Sequence, residues 1–193
     1  MIENSRQNRV CSILFIDIVG YSRRTVAEQM EMRRSCNDVL AAALGPVVPF
    51  DRIIVDTGDG AAVTFLGAPE NALFAGLRAR DASQLPLRMG INLGPVRVVS
   101  DVNEQRNVVG DGINAAQRVM SFCEPGELLV SRSFYEVASR LATDYVDLFV
   151  PRGEHLDKHS RSHEVYALVR DARSRLKSAE AEWLQRTPPP RRR

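Results

Sequence analysis

Apolar positions along this chain switch repeatedly between strand-like runs and helix-like spacing. "RVCSILFIDIVG" is a strongly apolar β-type run ending at an acid and a glycine, and "TVAEQMEMRRSCNDVLAAAL" has the spacing of a long amphipathic helix that stops at Gly45-Pro46. A strand, a tight turn and a helix are therefore predicted. "FDRIIVD" and "AAVTFLG" are short β-rich segments joined by Thr57-Gly58-Asp59-Gly60; Asp-Gly tolerates the positive φ of a tight turn, so a hairpin is expected. "PENALFAGLRARDAS" reads as a helix. "LPLRMGINLGPVRVVSD" reads as two β-type runs around a Gly-Pro break, and "DGINAAQRVMSF" as a helix with Asp111 as its N-cap. A strand at "GELLVS", a helix at "RSFYEVASRL" and strands at "DYVDLFV" and "HEVYALV" follow. After about residue 171 the chain is charged and then proline-rich, which predicts a fraying helix and a disordered end.

Composition narrows the class. At 193 residues the chain suits one compact domain with a short tail. The net charge of +2 gives no global sign of a nucleic-acid binder, and the basic character is local to "PPPRRR", read as a solvated tail. Cys11, Cys36 and Cys123 are widely spaced with no CxxC and no secretory h-region, which predicts reduced thiols in a cytoplasmic protein. No apolar run approaches the ~18 residues of a spanning helix, so no membrane anchor is expected.

The candidate chemistry lies in the acids. Asp17 ends the first strand and Asp59 sits at the hairpin tip; if these ends are neighbours in one sheet, two carboxylates converge, the donor set that Mg²⁺ takes together with substrate phosphates. The turn "DIVGYS" adds backbone N–H groups at a helix N-terminus, a cradle for phosphate oxygens. Singly, an Asp-Gly is usually a turn former and a strand-end Asp a helix cap. The third element, "VVGDGINAAQRVMSFCEPGELLVS", places Asn114 and Arg118 four apart on one helix face, an amide to orient a sugar and a guanidinium to meet charge on a transferring phosphate.

"FIDIVGYS", "TGDGAAVTF", "RMGINLGPV", "VVGDGINAAQR", "EPGELLVS" and "GEH…EVYAL" resemble, in order and approximate spacing, the class III nucleotidyl cyclase catalytic domain over about residues 9 to 170, leaving 171–193 as a charged, proline- and arginine-rich tail. The resemblance implies an α+β, ferredoxin-like βαββαβ core working as a head-to-tail homodimer with shared active sites. It implies cyclisation of a nucleoside triphosphate to its 3′,5′-cyclic monophosphate and pyrophosphate, with two Mn²⁺ or Mg²⁺ ions per site. By motif position, Asp17 and Asp59 match the metal ligands with the Ile18 carbonyl a further one. Val19, Gly20, Tyr21 and Ser22 match the phosphate turn. Asn114 matches the ribose-orienting residue and Arg118 the transition-state arginine, both supplied by the partner subunit. Lys158 matches the lysine on the terminal phosphates, although "LDKHS" departs from the usual "LKG".

Two departures concern the base. Where purine cyclases of this family usually carry a lysine and an aspartate, threonine or cysteine, this chain has Val55 and Asn107. A loosely specific adenylate cyclase, an inactive relative and a pocket rebuilt for another base all fit that loss. Retention of Asp17, Asp59, Asn114 and Arg118 argues against inactivity. The chain resembles the stand-alone pyrimidine cyclases of Pycsar anti-phage defence, which implies a uridylate or cytidylate cyclase feeding a separate cyclic-nucleotide effector. Phe50 either stacks on a one-ring base or belongs to the core; Arg97 either donates to a pyrimidine carbonyl, favouring UTP over CTP, or is a surface charge. An ordinary adenylate cyclase and a non-catalytic nucleotide-binding module remain the alternatives. His155, His159 and His163 share a Gly- and Ser-containing loop region that argues against zinc, and strand alternation points Asp56 away from Asp59.

Overall fold

The computed structural model describes residues 8–157 and 159–186. In chain order the strands are β1 (Arg9–Ile18), β2 (Arg52–Asp56), β3 (Gly60–Phe65), β4 (Leu87–Ser100), β5 (Arg106–Val109), β6 (Leu128–Ser131), β7 (Phe149–Leu156) and β8 (Ser162–Leu168). The helices are α1 (Val26–Leu44), α2 (Glu70–Ala82), α3 (Asp111–Ser121), α4 (Arg132–Ala138), α5 (Ala172–Arg175) and α6 (Lys177–Arg186). The sheet order is β2-β3-β1-β4-β6-β8-β7, with β5 paired to the far end of β4. Its first four strands, with α1 and α2, are the expected ferredoxin-like βαββαβ unit, extended on the C-terminal side by β6, β8 and β7.

Alternation along β1 divides the interior. Leu14, Ile16 and Ile18 face a large core built with α1 and α2, while Cys11, Ile13 and Phe15 face a second core closed by Ala116 and Met120 of α3. Two residue sets of one strand thus bury opposite layers. Helix α1 starts where Thr25 and Glu28 form a reciprocal capping box, with Thr25 N–H to Glu28 Oε2 at 2.8 Å.

Several elements differ from the sequence expectation. Gly94-Pro95 does not break the chain: β4 runs unbroken for 14 residues, and Pro95 faces Val10 at an exposed position of the β1 register. Asp144-Tyr-Val-Asp-Leu148 is a 3₁₀ helix rather than a strand, anchored by buried Tyr145 and Leu148. Gly110, not Asp111, is the N-cap of α3, and Asp111 lies in the first turn without a side-chain cap bond. The segment after 171 does not fray: Ala172, Leu176 and Trp183 are buried, with the Trp183 ring 5.1 Å from Phe74 of α2. Glu180 is 7% exposed between Arg78 (2.8 Å) and Arg173 (3.0 Å). The "PPPRRR" end lies outside the described residues.

Candidate active site

The sheet brings the two acids together through register. Asp17 faces Gly60 across β1 and β3, and the Ile18 N–H donates to the Asp59 carbonyl at 3.0 Å, so the hairpin tip is tied to the end of β1. The hairpin's positive φ falls on Gly58 (88°), whose N–H is held by Asp56 Oδ1 at 2.7 Å. Gly60 has another duty: a Cβ there would stand 1.9 Å from the Ile16 carbonyl oxygen. Only glycine permits that closeness to β1. Arg33 of α1 pairs with Asp56 and donates to the Gly60 carbonyl at 2.9 Å, clamping the hairpin from the helix side.

Asp17 is 7% exposed and its carboxylate is paired with Arg88, its cross-strand neighbour on β4, through both Nε (3.0 Å) and Nη2. Burial pushes the Asp59 carboxyl above the usual carboxylate range; the hydrogen bond and charge of Asp17 add to the rise, and its own backbone and Arg88 oppose it. Two acids thus share a site that resists a second negative charge. That is the condition a hard divalent cation relieves. Among the described residues no group of three or more His, Cys, Asp and Glu converges. The protein's share would be the two carboxylates and the Ile18 carbonyl, with substrate phosphates completing the shell, and this donor set fits Mg²⁺ or Mn²⁺.

The turn beyond Asp17 has Gly20 at φ 76°, followed by a 3₁₀ turn over Tyr21–Arg23. The Val19 N–H is directed to the Pro86 carbonyl at 3.0 Å, which leaves Gly20, Tyr21 and Ser22 as the phosphate-turn candidates. Arg88 was not anticipated; a basic residue inside an apolar strand opposite Asp17 is its only sequence signal. Arg33 had none, because its target is set by the packing of α1 on the hairpin.

Asn114 and Arg118 are placed elsewhere. Among the described residues no hydrogen bond or ion pair links either to Asp17 or Asp59. Asn114 is exposed on α3, and Arg118 Nε lies 3.7 Å from Asp157 Oδ2. Val55 is partly buried against the second core, and Asn107 lies on β5 with its Oδ1 accepting the Val108 N–H at 2.6 Å. Phe50 is neither in the strand nor in the core. It sits in a 3₁₀ turn before β2, 75% exposed, with the Arg106 guanidinium 5.1 Å from its ring centroid. Arg97 donates to Asn8 Oδ1 at 3.0 and 3.2 Å. Asp56 is engaged by Arg33 and by the Gly58 N–H, and Lys158 lies outside the described residues. His155 stacks on Phe122 and His163 pairs with Asp157. No helix among the described residues is long and apolar enough to cross a membrane.

The family model "Adenylate and Guanylate cyclase catalytic domain" matches residues 69–168, which include α3 but not Asp17 or Asp59. "Putative adenylate cyclase 3" of Rhizobium meliloti (strain 1021) is 32% identical over 165 residues, covering 76% of this chain and 26% of its own length. The chain thus spans about a quarter of that relative. Among solved structures, the adenylate/guanylate cyclase/hydrolase of Silicibacter pomeroyi superposes with a TM-score of 0.61 at 27% identity, covering 86% of this chain and 99% of that one. The guanylate cyclase domain of RhGC from Catenaria anguillulae, in complex with GTP, gives a TM-score of 0.67 at 20% identity over 84% of this chain and 98% of that one, a likeness of fold. With the family model covering half of the chain, the protein belongs to the adenylate and guanylate cyclase catalytic domain family.

Proposed function

We propose that the protein is a nucleotidyl cyclase that converts a nucleoside triphosphate, preferentially a pyrimidine and UTP before CTP, to its 3′,5′-cyclic monophosphate and pyrophosphate. The observation that carries this reading is the convergence of Asp17 and Asp59 beside the Gly20 turn, with an exposed Asn114 and a partly exposed Arg118 on α3. Among the described residues no hydrogen bond or ion pair joins Asp17 or Asp59 to Arg118, and a head-to-tail homodimer is the arrangement in which the acids of one subunit face the arginine of the other. In that arrangement the ribose 3′-oxygen attacks the α-phosphorus while the bond to the bridging oxygen breaks and pyrophosphate leaves. Asn114 orients the ribose, Arg118 meets the charge developing at phosphorus, and Gly20, Tyr21 and Ser22 hold phosphate oxygens. Arg88, already against Asp17, keeps a positive charge where the triphosphate enters. Two divalent ions held by Asp17, Asp59 and the Ile18 carbonyl would lower the cost of the 3′-alkoxide and of the departing pyrophosphate.

The pyrimidine preference is supported by Val55, which packs in an apolar cluster and offers no charge to a purine ring. A second-messenger role in anti-phage defence, in the cytoplasm and with a separate effector, is part of this proposal and rests on the sequence resemblance to the Pycsar cyclases alone. The likeness to the putative adenylate cyclase 3 of Rhizobium meliloti favours a second reading, an adenylate cyclase making cyclic AMP. Incubation with Mn²⁺ or Mg²⁺ and each of ATP, GTP, CTP and UTP, with products identified by chromatography and mass, separates the readings. Cyclic UMP as the main product is expected; cyclic AMP would establish the second reading, and binding without turnover would make the domain a regulatory module.

A further inference from the structure

Asp157 opens the turn between β7 and β8, and its two carboxylate oxygens are divided between different tasks. Oδ1 accepts the backbone N–H groups of His159 (2.8 Å) and Arg161 (3.1 Å), and the main chain closes the same turn from Asp157 N–H to the Arg161 carbonyl (3.0 Å). The carboxylate cannot swing without undoing the turn. Oδ2 is left facing His163 Nε2 at 3.1 Å and Arg118 Nε at 3.7 Å. The side chain is 5% exposed, whereas that of Arg118 is 26% exposed. Burial pushes its pKa up, but the Arg161 N–H, His163 and the His159 N–H outweigh this and bring it to about 2, so the group is an anion at neutral pH.

The surroundings are fixed as well. His163 pairs in register with His155 across β7 and β8, and both rings lie against Phe122, which follows α3: His155 with centroids 4.9 Å apart and His163 at 5.8 Å. Arg161 reaches Asp111 at the start of α3 at 4.0 Å. The turn therefore docks on the same helix that carries Arg118. Among the described residues no hydrogen bond engages Nη1 or Nη2 of Arg118. A carboxylate ion-paired on the Nε side leaves the Nη1/Nη2 edge of the guanidinium free to present two parallel donors to a phosphate.

We propose that Asp157 is a positioning residue for the cyclase reaction, holding the Nε side of Arg118 so that its Nη edge faces the α-phosphate of a nucleotide bound by the partner subunit. This rests on the cyclase reading, and on Arg118 as the residue that touches the reacting phosphate. Asp157 itself touches no substrate. It acts by keeping one long side chain in a single rotamer, an ordering that would otherwise be drawn from binding.

The test compares Asp157→Asn, Arg118→Lys and the double variant, using the triphosphate and metal on which the wild type turns over fastest, alongside Arg118→Ala. Asparagine keeps an Oδ1 acceptor for the turn and puts an Nδ2 donor in place of the anionic Oδ2, so nothing there can accept from Arg118 Nε. Asp157→Asn is expected to lower kcat by about 10²-fold with KM within about threefold, and to add little in the Arg118→Lys background, where Nε is absent. An unchanged kcat beside an inactive Arg118→Ala, or a loss confined to KM, would overturn the proposal and leave the cyclase reading standing. An active Arg118→Ala would overturn the role of Arg118 and the proposal with it. Independently of turnover, the ¹⁵Nε–H signal of Arg118, identified by its loss in Arg118→Lys, is expected to exchange slowly with solvent and to shift in Asp157→Asn. Should that variant unfold, the wild-type spectrum decides: exchange as fast as that of a free arginine would sink the idea.

Discussion

At the tip of the β2–β3 hairpin, Asp59 stands against Asp17 in surroundings that disfavour a second negative charge. Its folded-state pKa lies above the unfolded value of about 4, so folding takes up a proton between the two, and stability falls as pH rises through that interval. Asp59→Asn removes the cost. The variant is expected to melt higher than wild type in EDTA at pH 7, with the difference shrinking as pH falls from the raised folded-state pKa toward about 4 and gone below it, while its activity is lost; a lower melting temperature at pH 7 would contradict the account. Addition of Mn²⁺ or Mg²⁺ should raise the wild-type melting temperature and leave Asp59→Asn nearly unmoved. At the same scale, Arg118→Ala is expected to lower kcat by on the order of 10³-fold, read in steady-state kinetics with fold checked by circular dichroism.

Elements translate these single contacts into geometry. The hairpin approaches β1 as closely as it does because residue 60 has no side chain; Gly60→Ala drives a methyl into the Ile16 carbonyl and should cost about 2 kcal/mol or more in urea unfolding, with activity lost beyond that by displacement of Asp59. Helix α6 makes the opposite point about the C-terminal segment. Its Trp183 is 6% exposed against Phe74, with Nε1–H donating to Asn71 Oδ1 at 2.8 Å, so Trp183→Ala should destabilise by about 3 kcal/mol. A solvated tail would change by less than about 0.5 kcal/mol.

For the whole molecule the deciding question is where the two halves of the site meet. A head-to-tail pair has two composite sites, so mixing Asp17→Asn with Arg118→Ala makes mixed dimers in which one site carries both defects and the other none. Each variant alone is expected to be inactive, and an equimolar mixture to recover about a quarter of wild-type activity, since half the dimers are mixed and half their sites intact. No recovery would place both halves within one chain. Dilution should lower specific activity once the dimer dissociates.

The apolar pattern by itself determined β1, α1, the hairpin, α2 and α3: spacing marks the one buried face of α1 and of α3, and the unbroken apolar run of β1 records that a core covers each of its sides. The candidates Asp17, Asp59, Asn114 and Arg118 stand out in the sequence because they sit where apolar runs end or four apart on one helix; among the described residues of one chain only the two acids are brought together. Tertiary structure decided the rest. Gly94-Pro95 lies within a strand because Pro95, at an exposed position opposite Val10, is tolerated there, a fact of sheet position and not of the dipeptide. Phe50 left the core because the turn before β2 carries it to the surface, where Arg106 covers it. The roles of Arg33, Arg88 and Asp157 come from partners 23, 71 and 39 residues away in sequence, at contacts made only once helix and strands have packed. A charged side chain carries no mark of its partner; the fold chooses it.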